Sequence, residues 1–259
     1  MKRNIHIFLL FAKNAFNTTS QGKIGIFVFL IGKIVRFLFM FYLIFFIFQH
    51  TRFLKGYSFE QAALFYLVFN LIDTISQILF REVYRFRYLV TSGGLDMILL
   101  KPYHPFLRVL VGGVDILDLV LVVPYLILTA LAASRVVTTL PQFTLFILLF
   151  INALWITTSF HIIVLSLGIL TTEVDHTIMI YRDIIGLGRF PMEIYKEPVR
   201  GIFTFIIPVA VMMSFPVQAL VGKLGGSLVI FSFVISSCIF VGALLLWRSA
   251  LERYQSWGG

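Results

Sequence analysis

Six apolar runs, at positions 24–48, 59–80, 108–130, 143–170, 202–221 and 227–247, take up most of this 259-residue chain. A hydrocarbon core about 30 Å thick is crossed by roughly 20 apolar residues in an α-helix, and each run reaches that length. Lipid offers no water to a free N–H or C=O, so such runs fold as helices and not as open strands. The chain is therefore predicted to be all-α, a polytopic membrane protein with about six transmembrane helices in a single domain, 1–259. Its 59% hydrophobic and 13% charged residues, with a mean hydropathy of +0.97, exclude a water-soluble globule of this length. The lone Cys238 lies in the last run, so no intrachain disulfide contributes.

Before the first run, Ile5, Phe8, Leu9, Ala12 and Phe16 recur at helical spacing among Lys2, Arg3, Lys13 and Lys23. This pattern predicts a helix lying in the membrane interface over 1–23. Its start resembles a signal peptide, but no small-residue cleavage site follows, so the segment is expected to be retained.

Lysine and arginine in the loops set the orientation. Lys2, Arg3, Lys13 and Lys23, then Arg81, Arg85, Arg87, Lys101 and Arg108, fall on one side. Arg182, Arg189, Lys196, Arg200, Arg248 and Arg253 are read on that side too, against Arg52, Lys55, Arg135 and Lys223 opposite. The heavier side is the cytoplasm, so both termini and two sizeable loops, 81–107 and 171–201, are expected there. The sequence pI near 9.8 follows from attraction to the anionic leaflet. No aromatic RNA platform, zinc spacing or DNA-reading helix accompanies these charges, and nucleic acid is not expected as a partner. Neither loop is long enough for a domain with its own core. The sequence also carries no glycine-rich phosphate loop, zinc-protease helix or hydrolase nucleophile elbow, so no enzyme activity or cofactor is expected in this chain.

Within 81–107, Gly93 and Gly94 break a basic helix, and Pro102 and Pro105 end the segment that follows. Between them lies a short element with one apolar side and the charges Asp96 and Lys101. It is a compact foot at the end of two long helices, suited to pushing or being pushed; an ordinary interfacial loop has the same ingredients. The residues Gly93, Leu95, Asp96, Leu99, Leu100, Lys101, Pro102 and Pro105, in that order, resemble the cytoplasmic signature of the bacterial ABC exporter permeases of the second (ABC-2 type) class. That signature reads Gly-x-Leu-Asp-x-x-Leu-Leu-(Lys/Arg)-Pro-x-x-Pro, with an acidic residue common where Gly94 stands. A second segment, Gly188, Arg189, Phe190 and Pro191 with Tyr195, is similar to the family's Gly-Arg-(Phe/Tyr)-Pro segment leading into a proline-bearing fifth span.

The resemblance implies an N-terminal interfacial helix, a cytoplasmic coupling helix in 81–107 and residence in the inner membrane of a bacterium. It also implies two ABC ATPase subunits per complex, which would hold ATP and Mg, and a second permease subunit, identical or related. Leu95, Leu99 and Leu100 are then the expected apolar anchor for the ATPase, with Asp96 and Lys101 fixing its register.

Pro208 and Pro216 each remove a backbone donor, so the fifth span is expected to be bent or broken near its outer end, a candidate gate. Lys33, Asp73, Asp115 and Asp118 fall about 10–15 Å from the cytoplasmic helix ends at roughly 1.5 Å per residue, with Arg36 a little deeper, so the five charges share one layer. Lys33 or Arg36 is expected to pair with Asp73, with Asp115 and Asp118 facing the same protein interior or a wet vestibule; snorkelling is the alternative for the two bases. An ion- or proton-coupled secondary transporter would use the same charges as a relay, although no internal repeat accompanies them. An intramembrane enzyme would draw on His161 with Glu173 or Asp175. The 29 phenylalanines suit an amphipathic cargo and lipid-facing helices equally.

Overall fold

The computed structural model describes residues 2–19, 22–51, 54–136, 139–172 and 174–255. Arg52 and Glu173 lie outside the described residues. The helices are α1 (Lys2–Thr19), α2 (Lys23–His50), α3 (Phe59–Phe80), α4 (Phe86–Thr91), α5 (Gly94–Leu99), α6 (Phe106–Val109), α7 (Ile116–Ser134), α8 (Leu140–Thr171), α9 (Val174–Gly186), α10 (Val199–Gly201), α11 (Phe215–Leu220) and α12 (Gly226–Glu252). Among the described residues there is no sheet, only an isolated bridge between Leu54 and Tyr57. The all-α membrane architecture read from the sequence is the observed one.

The bundle is built around α3. Ser58 starts it with a capping box: its Oγ accepts from the Gln61 amide at 3.4 Å and its own amide donates to Gln61 Oε1 at 3.3 Å. Leu64, Phe65, Val68 and Ile72 on this helix are fully buried against α8 and the 210–220 segment. On α12, Ser232 and Ser236 let the chain approach α8 closely. The Ser236 hydroxyl donates to Asn152 Oδ1 at 2.6 Å, and Asn152 Nδ2 donates to the Ser232 carbonyl at 3.2 Å. By contrast α2 turns most of its surface outward: Phe27, Val28, Val35, Leu38 and Phe39 are exposed, and among its described side chains only Ile44 is buried. An apolar surface of this kind belongs in lipid or against another membrane subunit.

Two expected spans are corrected. The third begins at Ile116, not at position 108. Residues 106–109 form the short α6, a turn runs through Gly112 and Gly113, and Asp115 caps α7 by accepting from the Leu117 amide at 2.9 Å. Asp115 therefore stands at the mouth of the helix instead of inside it.

The larger correction concerns 171–201, expected as a cytoplasmic loop. Contacts along α3 and its extension give the vertical order. Gly168 packs where Val174 meets Phe86, and the His161 ring lies 4.7 Å from Phe80 and 5.0 Å from Tyr181. Further up, Arg189 sits 5.4 Å over the Phe69 ring, and Glu193 accepts from Gln218 Nε2 at 2.5 Å, one turn before the Lys223 that reaches Gly56 and the Tyr57 ring at the opposite end of the bundle. Residues 174–195 thus traverse the bundle and make its fifth crossing. The following pair, Val199–Ile206 and Ala210–Leu220, is bent by 80° at Ile207–Pro208. Arg200 starts it near Tyr57, Ile207 shares a cavity with Phe160 and Tyr181 at mid-depth, and Lys223 after it donates to the Gly56 carbonyl at 2.6 Å. The pair therefore enters and leaves by the same end, a re-entrant hairpin and not a span over 202–221. Both arms carry wide, π-helical turns at Ile202–Ile206 and Ala210–Ser214, a geometry concentrated at functional sites.

Candidate functional site

The foot is a helix–turn–helix corner at one end of the bundle. α3 continues through a tight turn at Arg81–Arg85 into α4, and the chain reverses at Gly93, whose φ of 71° lies in the left-handed region open to glycine. The foot helix α5 follows. Leu95 is fully buried and Ile98 nearly so, in a cluster with Phe86, Val90 and Trp247. Leu99 is half-buried against the same cluster, while Met97 and Leu100 are 61% and 81% exposed. The expected anchor is thereby corrected. Leu95 and Leu99 hold the foot to its own bundle, and the apolar side chains free to meet a partner are Met97 and Leu100, with Lys101 beside them. Spacing alone did not separate these faces, because α5 is under two turns long.

Asp96 faces the C-terminal tail, where burial and then the Asp96 carboxylate push the Tyr254 phenol up to about 12. On the other flank, Arg3 of α1 donates to the Pro102 carbonyl at 2.7 Å, and Phe11 meets Tyr103 edge-on with centroids 6.3 Å apart. Pro105 precedes α6 as its cap. The predicted interfacial helix is thus a brace against the end of the foot.

Four charges tie the two stems of the foot together. Arg81 Nε lies 3.2 Å from Asp115 Oδ2, and Arg108 Nη1 lies 2.5 Å from Glu82 Oε1. A β-carbon on Gly113 would overlap Glu82 Oε2, so a larger residue here would have to displace the carboxylate that Arg108 holds. The Asp115 amide also donates to the Ile78 carbonyl at 3.3 Å. A displacement of the foot therefore reaches α3 and α7 together.

The charges at depth pair differently from the sequence expectation. Lys33 forms its ion pair with Asp118 of α7, which is completely buried, and not with Asp73. Asp73 accepts a hydrogen bond from Gln77 at 2.8 Å. Asp73 instead lines a cavity of about 260 Å³ with Arg36, Arg182, Asp183 and Arg189. The sequence reading missed Arg182 and Asp183 as site residues; their signal was the polar face of an otherwise apolar α9.

The second motif is internal and not a surface loop. Gly188 packs on Met213 and Val209 of the re-entrant hairpin, Pro191 is buried, Phe190 is half-buried, and the Tyr195 hydroxyl donates to the Leu187 carbonyl at 2.9 Å. Pro208 stands at the break of the hairpin, and Pro216 opens α11 just after a wide turn, so the break belongs to Pro208. His161 is a packed side chain: its Nδ1 lies 2.8 Å from the Thr157 carbonyl, among the Phe80 and Tyr181 rings. Asp175 pairs with Arg87 at 3.0 Å in an exposed salt bridge. Among the described residues neither joins a catalytic constellation, and no cluster suited to a metal ion occurs.

A braced foot on two stems, a polar fifth crossing and a re-entrant hairpin form one plan. A family model described as ABC-2 family transporter protein matches residues 34–258. The chain belongs to the ABC-2 transporter family. It is accordingly a membrane-spanning permease subunit of an ABC transporter, a class that works with ABC ATPase subunits. Comparisons with curated proteins and with solved structures return no match. The matched region takes in both motifs, the foot and the re-entrant hairpin, and leaves α1 outside.

Proposed function

We propose that this ABC-2 permease exports its cargo by transmitting ATP-driven closure of two partner ATPase subunits through the foot at Gly93–Pro105. ATP and Mg would be held by the partners, and a second permease, identical or related, would complete the membrane pathway. The observation that carries this reading is the division of the foot into two faces. Leu95 and Ile98 are locked into the bundle, while Met97 and Leu100 stand exposed at its tip. Exposed apolar side chains on a rigid short helix are suited to a groove on another protein. The knot of Arg81, Glu82, Arg108 and Asp115 gives that helix a stiff connection to α3 and α7.

The end carrying the foot is the cytoplasmic one in this reading, with both termini there and the bacterial inner membrane as the location. Residues Arg81, Arg85, Arg87, Lys101 and Arg108 support it, since basic residues concentrate on the cytoplasmic side. Moving 174–195 into the bundle takes Arg182, Arg189, Lys196 and Arg200 off that side, yet the foot end stays the more basic. Export follows from the class of permease that the two motifs resemble.

The test is reconstitution. Proteoliposomes with the permease and its ATPase should hydrolyse ATP faster than the ATPase alone and lose cargo from the side bearing the ATPase. An ATPase indifferent to the permease would contradict the coupling, and ATP-driven movement of cargo toward the ATPase side would contradict export.

A further inference from the structure

We propose that the cavity between α2, α3 and α9 binds a phosphate group, and that this group is the handle by which the transporter holds its cargo. The proposal rests on the permease reading and deepens it. Arg36 comes from α2, Arg182 from α9 and Arg189 from the turn after it, and all three line one cavity of about 260 Å³. None of the three is ion-paired or hydrogen-bonded to a described residue, and Arg189 has only the Phe69 ring beneath it, whereas Lys33 on the same α2 helix as Arg36 is taken up by Asp118. Arg36 and Arg182 repel Arg189, and Asp73 attracts it, but Asp73 already accepts from Gln77. Asp183 at the rim is exposed.

The cluster therefore gathers three guanidinium groups against two carboxylates, one of them already hydrogen-bonded, at the level of Phe69 midway along α3. Unpaired cations at membrane depth are costly and mark ligand or substrate sites. A bound anion removes the cost, and the planar fork of arginine matches the oxygens of phosphate in a bidentate manner that lysine does not reproduce. Phe69 and Met179 supply apolar walls next to the charges. Such a site accepts a phosphate ester with an apolar or glycerol-sized remainder, either on a lipid or on a soluble molecule.

The purified permease, without its ATPase, is examined by native mass spectrometry with phosphatidylglycerol, with diacylglycerol, which lacks the phosphate, and with glycerol phosphate alone. The expected result is about tenfold tighter retention of phosphatidylglycerol than of diacylglycerol, or saturable binding of glycerol phosphate. Preference for the lipid alone assigns the handle to a lipid headgroup, and binding of glycerol phosphate alone assigns it to a soluble cargo. The double variant Arg182→Gln/Arg189→Gln should abolish the preference. Asp73→Asn, which still accepts from Gln77, should strengthen it, and this readout stands if the arginine variant does not fold. Equal retention of all probes by the parent, an unchanged preference in the arginine variant, or weaker binding by Asp73→Asn would overturn the site. Because no ATPase is present, failure here leaves the coupling reading intact, and failure of coupling leaves this binding result intact.

Discussion

Gly188 faces Met213 so closely that a β-carbon on Gly188 would stand 2.5 Å from the Met213 β-carbon. The contact joins the fifth crossing to the returning arm of the re-entrant hairpin, and it explains why a motif far from any exposed loop requires glycine. Gly188→Ala inserts one methyl group where none fits, and overpacking of this kind costs about 1–3 kcal/mol. The variant should melt at lower temperature in detergent and transport more slowly. A parent-like melting curve would show that the hairpin yields at this contact.

The ion pair of Lys33 and Asp118 supports a second prediction. Asp118→Asn leaves the Lys33 ammonium facing a buried amide. Removing one partner of a buried pair costs about 3–5 kcal/mol, less here because the Lys33 side chain keeps 22% of its exposure. A loss of about 2–3 kcal/mol is expected in a chemical-unfolding titration. The double variant Lys33→Met/Asp118→Leu should recover most of it. Equal stability of Asp118→Asn and the parent would remove the pair from the account, as would failure of the double variant to recover.

Topology offers a third. In a Cys238→Ser background, cysteines at Lys196, Arg135 and Lys223 should react with an impermeant thiol reagent from one face and a cysteine at Ser92 from the other. Labelling of Lys196→Cys together with Ser92→Cys would return 171–201 to a cytoplasmic loop and contradict the fifth crossing described above.

The contrast between those two readings of 171–201 shows what was legible in the sequence. The second span coincides with α3, because a long apolar run with Ser58 and Gln61 at its start states both its length and its cap. The third was misplaced by several residues because Val109, Leu110 and Val111 are apolar too; the signal passed over was Gly112-Gly113 followed by Asp115 ahead of Ile116. The fifth crossing was missed because hydropathy looks for helices that face lipid on all sides. α9 carries Asp175, His176, Arg182 and Asp183 and stays in the bundle by turning Arg182 and Asp183 toward a cavity. At the foot, the motif was readable but its faces were not. Leu95 and Leu100 are alike in composition, and tertiary packing alone buries one and exposes the other.

The most direct measurement concerns the foot. The variant Met97→Ser/Leu100→Ser changes only exposed side chains, so its melting temperature should match the parent's, whereas Leu95→Ala opens a fully buried site and should cost about 2–5 kcal/mol. With the folded Met97→Ser/Leu100→Ser permease, co-purification of the ATPase subunit is measured together with ATP hydrolysis and transport in proteoliposomes. The account predicts loss of the ATPase from the complex, or hydrolysis that no longer drives transport. A folded variant that keeps its ATPase and transports at the parental rate would contradict the claim that force enters this permease through Met97 and Leu100.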